Sequence, residues 1–336
     1  MVLPVKTSNG KYDIFLERGT LEKAGELIDL KRKVLIVTDS GVPVQYAETL
    51  AVQCAEPFIF TVKEGEPTKS LDTYKYLLSE MVKNEFTRTD CVAAVGGGVV
   101  GDLAGFAAAS YMRGIDFYNI PTTVLSQVDS SIGGKVAVDF EGYKNIVGAF
   151  YPPKAVIIDP DTLSTLPERQ ISNGLAESVK MSLTSDGELF GIFENGDIKA
   201  SIDKIIERSL KIKKYVVEQD EKESGLRKIL NFGHTLAHAV ESENNLRELY
   251  HGECVAIGML PMCSERVRKR LLPVLEKLKL PTECGFPAEQ LISAMRHDKK
   301  LSGGSITVVY VPEIGKYELK TLKFEDFAES IREALK

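Results

Sequence analysis

Five short apolar runs punctuate the first half of this chain: Lys33–Val37 (KVLIV), Pro57–Val62 (PFIFTV), Cys91–Val95 (CVAAV), Phe117–Ile120 and Ala155–Ile158. Each is too brief for a core helix, and none alternates with polar residues. A continuous apolar run of this length is what a strand covered on both faces requires. Between the runs lie helical patterns at about 20–29, 42–53 and 70–85. Parallel strands need crossovers, and helices supply them, so the alternation predicts a parallel sheet flanked by helices. From about Pro160 strand-like runs almost vanish. Amphipathic patterns follow at about 168–184, 200–219, 227–243, 252–270 and 286–296. A late pair, Ser305–Val311 and Lys316–Thr321, reads as a small hairpin. The expectation is an N-terminal Rossmann-like α/β domain over 1–160 and a mostly α-helical domain over 161–336. Their boundary falls in the proline-rich stretch YPPKAVIIDPDTLSTLP.

Composition removes several classes of function. A net charge of −6 argues against a nucleic-acid partner. No apolar run approaches the ~20 residues of a bilayer span, so no membrane role is expected. The opening MVLPVKTSNGKYDIFLERG lacks a signal-peptide pattern and predicts a cytoplasmic protein. Cys54, Cys91, Cys254, Cys263 and Cys284 are scattered and never form CxxC, which excludes a disulfide framework or a cysteine zinc site.

Three of the four histidines, His234, His238 and His251, fall close together in RKILNFGHTLAHAV and YHGECVAIGM. Imidazole is the commonest protein ligand for zinc-like metals, and a catalytic metal keeps about three protein ligands. His234 and His238 are four apart and share a helix face, a spacing that ordinary helices also produce. Two histidines and one carboxylate would complete a centre. Glu177, in the apolar segment GLAESVKMS, is the candidate carboxylate, because a charge there is costly unless paired or metal-bound. Lys180 lies three residues on, where a plain ion pair is the alternative.

Gly96-Gly97-Gly98-Val99-Val100-Gly101-Asp102 follows a strand and opens a small-residue helix. Such a turn presents bare N–H groups to a phosphate, although the GxGxxG fingerprint is absent. Asp39 ends an early strand, where an acid can bind a ribose. Glu66 and Lys69 read either as facing the same crevice or as a solvated helix start. Arg113, Asp129, Ser130, Ser131, Lys135, Lys144 and Asn145 mix hydroxyls, glycines and single cations in apolar surroundings, a pattern suited to a phosphate or carboxylate.

GGGVVGD, MRG, PTT, QVDSSIGGK, KNIVGAF, GLAESVK, LNFGHTLAHAVE and HGE occur in the order found in 3-dehydroquinate synthases, and the chain resembles that family from Asp39 to about Lys300. The resemblance implies an active site in a cleft between the two domains, closing on its substrate. It implies NAD and a divalent metal, zinc most often and cobalt as an alternative, and a homodimer. It also implies conversion of 3-deoxy-D-arabino-heptulosonate 7-phosphate, a phosphorylated sugar acid, to 3-dehydroquinate and phosphate. The metal ligands become Glu177, His234 and His251. NAD contacts fall on Asp39, Glu66, Lys69, Gly97, Gly98, Val99, Asp102, Thr122, Thr123 and Thr165. Catalytic roles fall on Lys135, Lys144, Asn145, Lys180, Arg227, Asn231 and His238, and substrate binding on Arg113, Asp129, Lys213 and Lys299. Val136, Asp139 and Thr307 depart from the residues usual in the family. Rival readings are a paralogous sugar-phosphate cyclase and a metal-dependent polyol or glycerol-phosphate dehydrogenase.

Overall fold

The computed structural model describes residues 1–8, 10–223, 225–244, 249–296 and 304–334. These form two compact units, Met1–Pro167 and Glu168–Lys336. The turn Pro160–Thr165 belongs to the first unit, beyond the expected boundary at 160.

In the first unit, β1 (Val2–Thr7), β2 (Gly10–Leu16), α1 (Ala24–Leu27), β3 (Lys33–Asp39), α2 (Val44–Ala51), β4 (Glu56–Val62), α3 (Leu71–Lys83), β5 (Cys91–Gly96), α4 (Gly98–Ser110), β6 (Asp116–Pro121), β7 (Lys135–Phe140), β8 (Tyr143–Phe150) and β9 (Ala155–Ile158) follow in turn. Seven of the strands make one sheet in the order β1-β2-β9-β6-β5-β3-β4. All five expected strands lie in it and pair in parallel. Alternate residues of one strand serve two cores. Leu35, Val37, Val92 and Ala94 pack with Leu77, Leu103 and Ala107 on one face. Val34, Ile36, Ala93 and Val95 pack with Ala47 and Leu50 on the other. Two covered faces explain why these runs carry no polar alternation.

Small residues let α4 lie hard against the sheet. A Cβ at Gly105 would stand 3.0 Å from the Phe117 ring, and one at Gly101 would stand 3.1 Å from the Asn119 amide. Two antiparallel ribbons were not visible as apolar runs. β1 and β2 mix lysines and an aspartate with apolar residues, and β1 is a largely exposed edge. β7 and β8 are built from the QVDSSIGGKVAVD and KNIVGAF motifs themselves.

The second unit contains α5 (Glu168–Ser185), α6 (Gly187–Asn195), α7 (Ile202–Gln219), α8 (His234–Glu243), α9 (His251–Met259), α10 (Glu265–Lys277), α11 (Ala288–Arg296), the hairpin β10 (Ser305–Glu313) and β11 (Lys316–Lys323), and α12 (Phe324–Ala334). Two expected helices are each broken. The pattern over 227–243 divides into a tight turn, Leu226–Asn231, and α8, because Gly233 takes a left-handed φ of 78°. That backbone favours glycine. The pattern over 252–270 breaks at Pro261 in the turn Leu260–Met262, since proline lacks the N–H that would continue α9. No helix among the described residues is long and apolar enough to cross a membrane.

Candidate active site

Glu177 sits mid-way along α5, only 1 % exposed. His234 is the first residue of α8 and His251 the first of α9. Glu177 Oε1 lies 3.6 Å from His234 Nε2 and 3.5 Å from His251 Nε2. One ligand atom from each residue falls within 4.8 Å of the others. Metal–ligand bonds of about 2.0–2.2 Å in a tetrahedron imply ligand–ligand edges of about 3.4 Å. Both Glu177 oxygens are buried and lack a hydrogen bond of good geometry. Lys180 compensates Oε2, and a cation among the three side chains would satisfy Oε1 and both imidazole nitrogens. The residues therefore fit a divalent metal.

The surrounding groups orient the two imidazoles. His234 Nδ1 lies 3.2 Å from the Phe232 carbonyl, and His251 Nδ1 lies 3.0 Å from Glu241 Oε1. A donating Nδ1 fixes the ring orientation and leaves Nε2 facing Glu177, the nitrogen that would ligate a metal once its proton is displaced. Glu241 was not singled out from the sequence, although it follows His234 by two helical turns on one face of α8. Burial opposes ionisation of Glu177, but Lys180 and His251 overcome it and hold the carboxyl well below the usual carboxylate range. Burial likewise opposes charge on His251, but Glu177 and Glu241 push its imidazolium up to about 10. The pocket is thus built for positive charge.

Of the expected substrate residues of this unit, Lys180 and His238 contact that centre. Lys180 is buried and ion-paired with Glu177 one helical turn away. Lys213, on α7, and Arg227 are buried. Arg227 Nη1 donates to the Glu221 carbonyl at 2.5 Å, and its backbone N–H donates to Asp220 Oδ2 at 2.9 Å. Asn231 Nδ2 donates to Glu223 Oε1 at 2.5 Å. His238 is exposed, its ring edge-to-face with His234 at 5.4 Å. Lys299 lies outside the described residues.

In the first unit, Asp39, the Gly97–Val99 turn, Thr122 and Thr123 all lie at the carboxyl ends of β3, β5 and β6. That edge is where doubly wound sheets bind ligands. Gly97 caps α4 with an extended backbone. A Cβ on Gly98 would stand 3.1 Å from Ser130 Oγ. The hydroxyls of Ser130 and Ser131 are buried without a hydrogen-bond partner among the described residues. A glycine cradle beside unsatisfied hydroxyls fits a polar ligand such as a dinucleotide. The Asp39 carboxylate accepts from the Gly41 N–H at 2.8 Å, and burial raises its pKa against that bond. Thr165 is exposed and meets Tyr46 Oη of α2 at 2.8 Å.

Lys69 is the hub of this unit's polar residues. It is 5 % exposed, and its Nζ lies 2.9 Å from Glu66, 3.2 Å from Asp102 and 2.7 Å from Asn145 Oδ1. Glu66 and Lys69 thus belong to a buried polar cluster rather than to a solvated helix start. Asn145 has a left-handed φ of 55°, and its N–H donates to Asp139 Oδ1 at 2.8 Å. Arg113, Lys135 and Lys144 are exposed. Asp129 lies in a π-helical turn, Ser126–Ser130, a distortion frequent at functional sites.

Burial raises the Asp102 carboxyl to about 6, with Lys69 opposing. An acid with a raised folded pKa binds its proton more tightly folded than unfolded. Its ionisation therefore costs stability as pH rises from about 4 to 6, and the cost persists above 6. A carbon-13 carboxyl titration should show one aspartate with a midpoint near 6 that disappears in Asp102→Asn. A midpoint near 4 for Asp102 would refute its burial as the controlling term.

This fold, a parallel-sheet unit followed by a helical unit, is shared with sugar phosphate cyclases. A 2-deoxy-scyllo-inosose synthase complexed with carbaglucose-6-phosphate, NAD+ and Co2+ matches with a TM-score of 0.88 at 26 % identity, over 100 % of both chains. The 2-epi-5-epi-valiolone synthase of Streptomyces hygroscopicus subsp. jinggangensis 5008, with NAD+ and Zn2+ bound, matches at 0.85 and 28 % identity, covering 96 % of this chain and 97 % of that one. The 3-dehydroquinate synthase of Streptococcus suis (strain 05ZYH33) is 40 % identical over 99 % of this chain and 100 % of its own length. Family models for the N-terminal and C-terminal parts of 3-dehydroquinate synthase match residues 59–173 and 174–301. The chain belongs to the 3-dehydroquinate synthase family.

Proposed function

We propose that the protein converts 3-deoxy-D-arabino-heptulosonate 7-phosphate to 3-dehydroquinate and phosphate, with NAD and one divalent metal as cofactors. Near-full-length similarity to a 3-dehydroquinate synthase supports the reaction. The observation that carries the site is the buried Glu177 carboxylate, paired through one oxygen with Lys180 and faced at the other by two imidazole nitrogens. Glu177, His234 and His251 would hold the metal. The glycine turn, Asp39, Glu66, Lys69, Asp102, Thr122, Thr123 and Thr165 would hold NAD. Bound, the two supply a reversible hydride acceptor and a Lewis acid.

The remaining chemistry falls to the chain's own side chains. Elimination of phosphate needs an acidic proton beside the leaving carbon, which a transient ketone provides. We assign the phosphate to Arg113, Lys135, Lys144, Asn145 and His238, with the departing phosphate itself as base. Asn145 Oδ1 accepts from Lys69, which ties a phosphate-binding residue to the nucleotide set. Lys180 lies against Glu177 and can stabilise negative charge on a substrate oxygen beside it. Asp129, Lys213, Arg227, Asn231 and Lys299 are assigned to the sugar hydroxyls and the carboxylate. Holding the reacting ends of the substrate together favours the closing intramolecular aldol step. A cytoplasmic homodimer is part of this reading, and light scattering at micromolar concentration tests the dimer.

The deciding assay measures phosphate released from heptulosonate phosphate, with and without chelator, while absorbance follows NADH. The expected result is chelator-sensitive phosphate release with no accumulation of NADH. Stoichiometric NADH would instead mark a dehydrogenase. Turnover of sedoheptulose 7-phosphate in place of heptulosonate phosphate would mark a paralogous cyclase.

A further inference from the structure

Three residues of α5 stand four apart on one face: Arg169, Asn173 and Glu177. Each meets one residue of the first turn of α9, in reverse order. Arg169 forks Glu253, Nε to Oε1 at 2.6 Å and Nη2 to Oε2 at 2.8 Å. The Asn173 side-chain oxygen accepts the Gly252 N–H at 2.6 Å. Glu177 faces His251 at 3.5 Å. The same Glu253 carboxylate accepts the Tyr250 N–H at 2.8 Å and closes a capping box, while the Arg169 guanidinium lies 4.4 Å above the Tyr250 ring. A side chain on Gly252 would collide with the Asn173 carbonyl and would lie 2.8 Å from its side-chain oxygen. Asn173 and Glu253 are each 5 % exposed.

Such a ladder leaves the first turn of α9 no freedom to slide or rotate on α5. We propose that Asn173 and Arg169 are positioning residues that set the separation of His251 from Glu177 and thereby the affinity of the metal centre. The inference rests on the metal reading of Glu177, His234 and His251. Neither residue was singled out in the sequence, because neither is a ligand and their partners are distant in the chain. A change of one rung shifts His251 relative to Glu177, and a tetrahedral centre tolerates displacements of only a few tenths of an ångström.

The test is Zn2+ affinity by chelator competition on full-length protein, with the visible spectrum of the Co2+-loaded form and the melting temperature of the metal-free form read in parallel. Asn173→Ala should weaken Zn2+ binding by about ten- to a hundredfold, as loss of a group supporting a ligand does. Arg169→Ala should weaken it about tenfold, and Arg169→Lys should lie between that variant and the wild type. Both alanine variants should alter the Co2+ bands. Should Asn173→Ala fail to fold, Arg169→Ala decides, since Arg169 is exposed and Glu253 keeps its bond from the Tyr250 N–H. Unchanged Zn2+ affinity and Co2+ spectrum in the folded variants, with only a lower melting temperature, would overturn the proposal. Wild-type protein that takes up no Zn2+ would overturn the metal reading and this inference together. Stoichiometric uptake by the wild type but none by His251→Ala upholds the metal reading, so indifference of the Asn173 and Arg169 variants then counts against positioning alone.

Discussion

Replacement of His251 by alanine is expected to abolish metal uptake and to lower turnover by on the order of a thousandfold or more. A Lewis acid contributes several kcal/mol to the barrier, and each 1.36 kcal/mol is a tenfold change in rate. The fold should survive. Glu177 keeps its ion pair with Lys180, so its charge is not orphaned. Glu241 loses the Nδ1 partner it has at 3.0 Å, which costs about 1–3 kcal/mol. Elemental analysis checks the prediction directly, and a full complement of metal in the purified variant would sink the ligand assignment.

Lys69→Met should lower stability by about 3 kcal/mol at pH 7 and weaken NAD binding. Removing one partner of a buried ion pair strands the charges it compensated. Here the stranded groups are Asp102 and Glu66, at 3.2 Å and 2.9 Å from the ammonium. The lesion should shrink as pH falls. Asp102 is already raised to about 6 by burial, and without Lys69 it would rise further, so at pH 5 it is protonated and no longer needs a cation. Urea melts at pH 7 and pH 5 provide the comparison. A penalty equal at both values would show that lost packing, not lost charge, dominates.

The sequence carried the sheet because the central strands are buried on both faces and so appear as unbroken apolar runs. It did not carry β1–β2, whose lysines and aspartate face outward at a sheet edge. It placed α8 and α9 as longer helices because hydrophobic periodicity continues across Gly233 and Pro261, where backbone rather than side-chain chemistry breaks the helix. The candidate ligands Glu177, His234 and His251 were visible because a carboxylate and imidazoles in apolar segments are chemically out of place. Glu241, Asn173 and Arg169 were not, because a glutamate, asparagine or arginine among polar sequence neighbours has nothing unusual about it until its burial and its partner are known.

The rungs between α5 and α9 join residues far apart along the chain, 79 positions for Asn173 and Gly252 and 84 for Arg169 and Glu253. Loops of that length close late, since their entropy must be overcome before any rung forms. Glu177 is laid down early in α5 yet has no imidazole opposite it until α8 and α9 have docked. A half-folded chain therefore cannot offer a three-ligand site. Zinc drawn from a weak buffer should accordingly be captured only once α8 and α9 have docked on α5, and its arrival reports that the helical unit has closed.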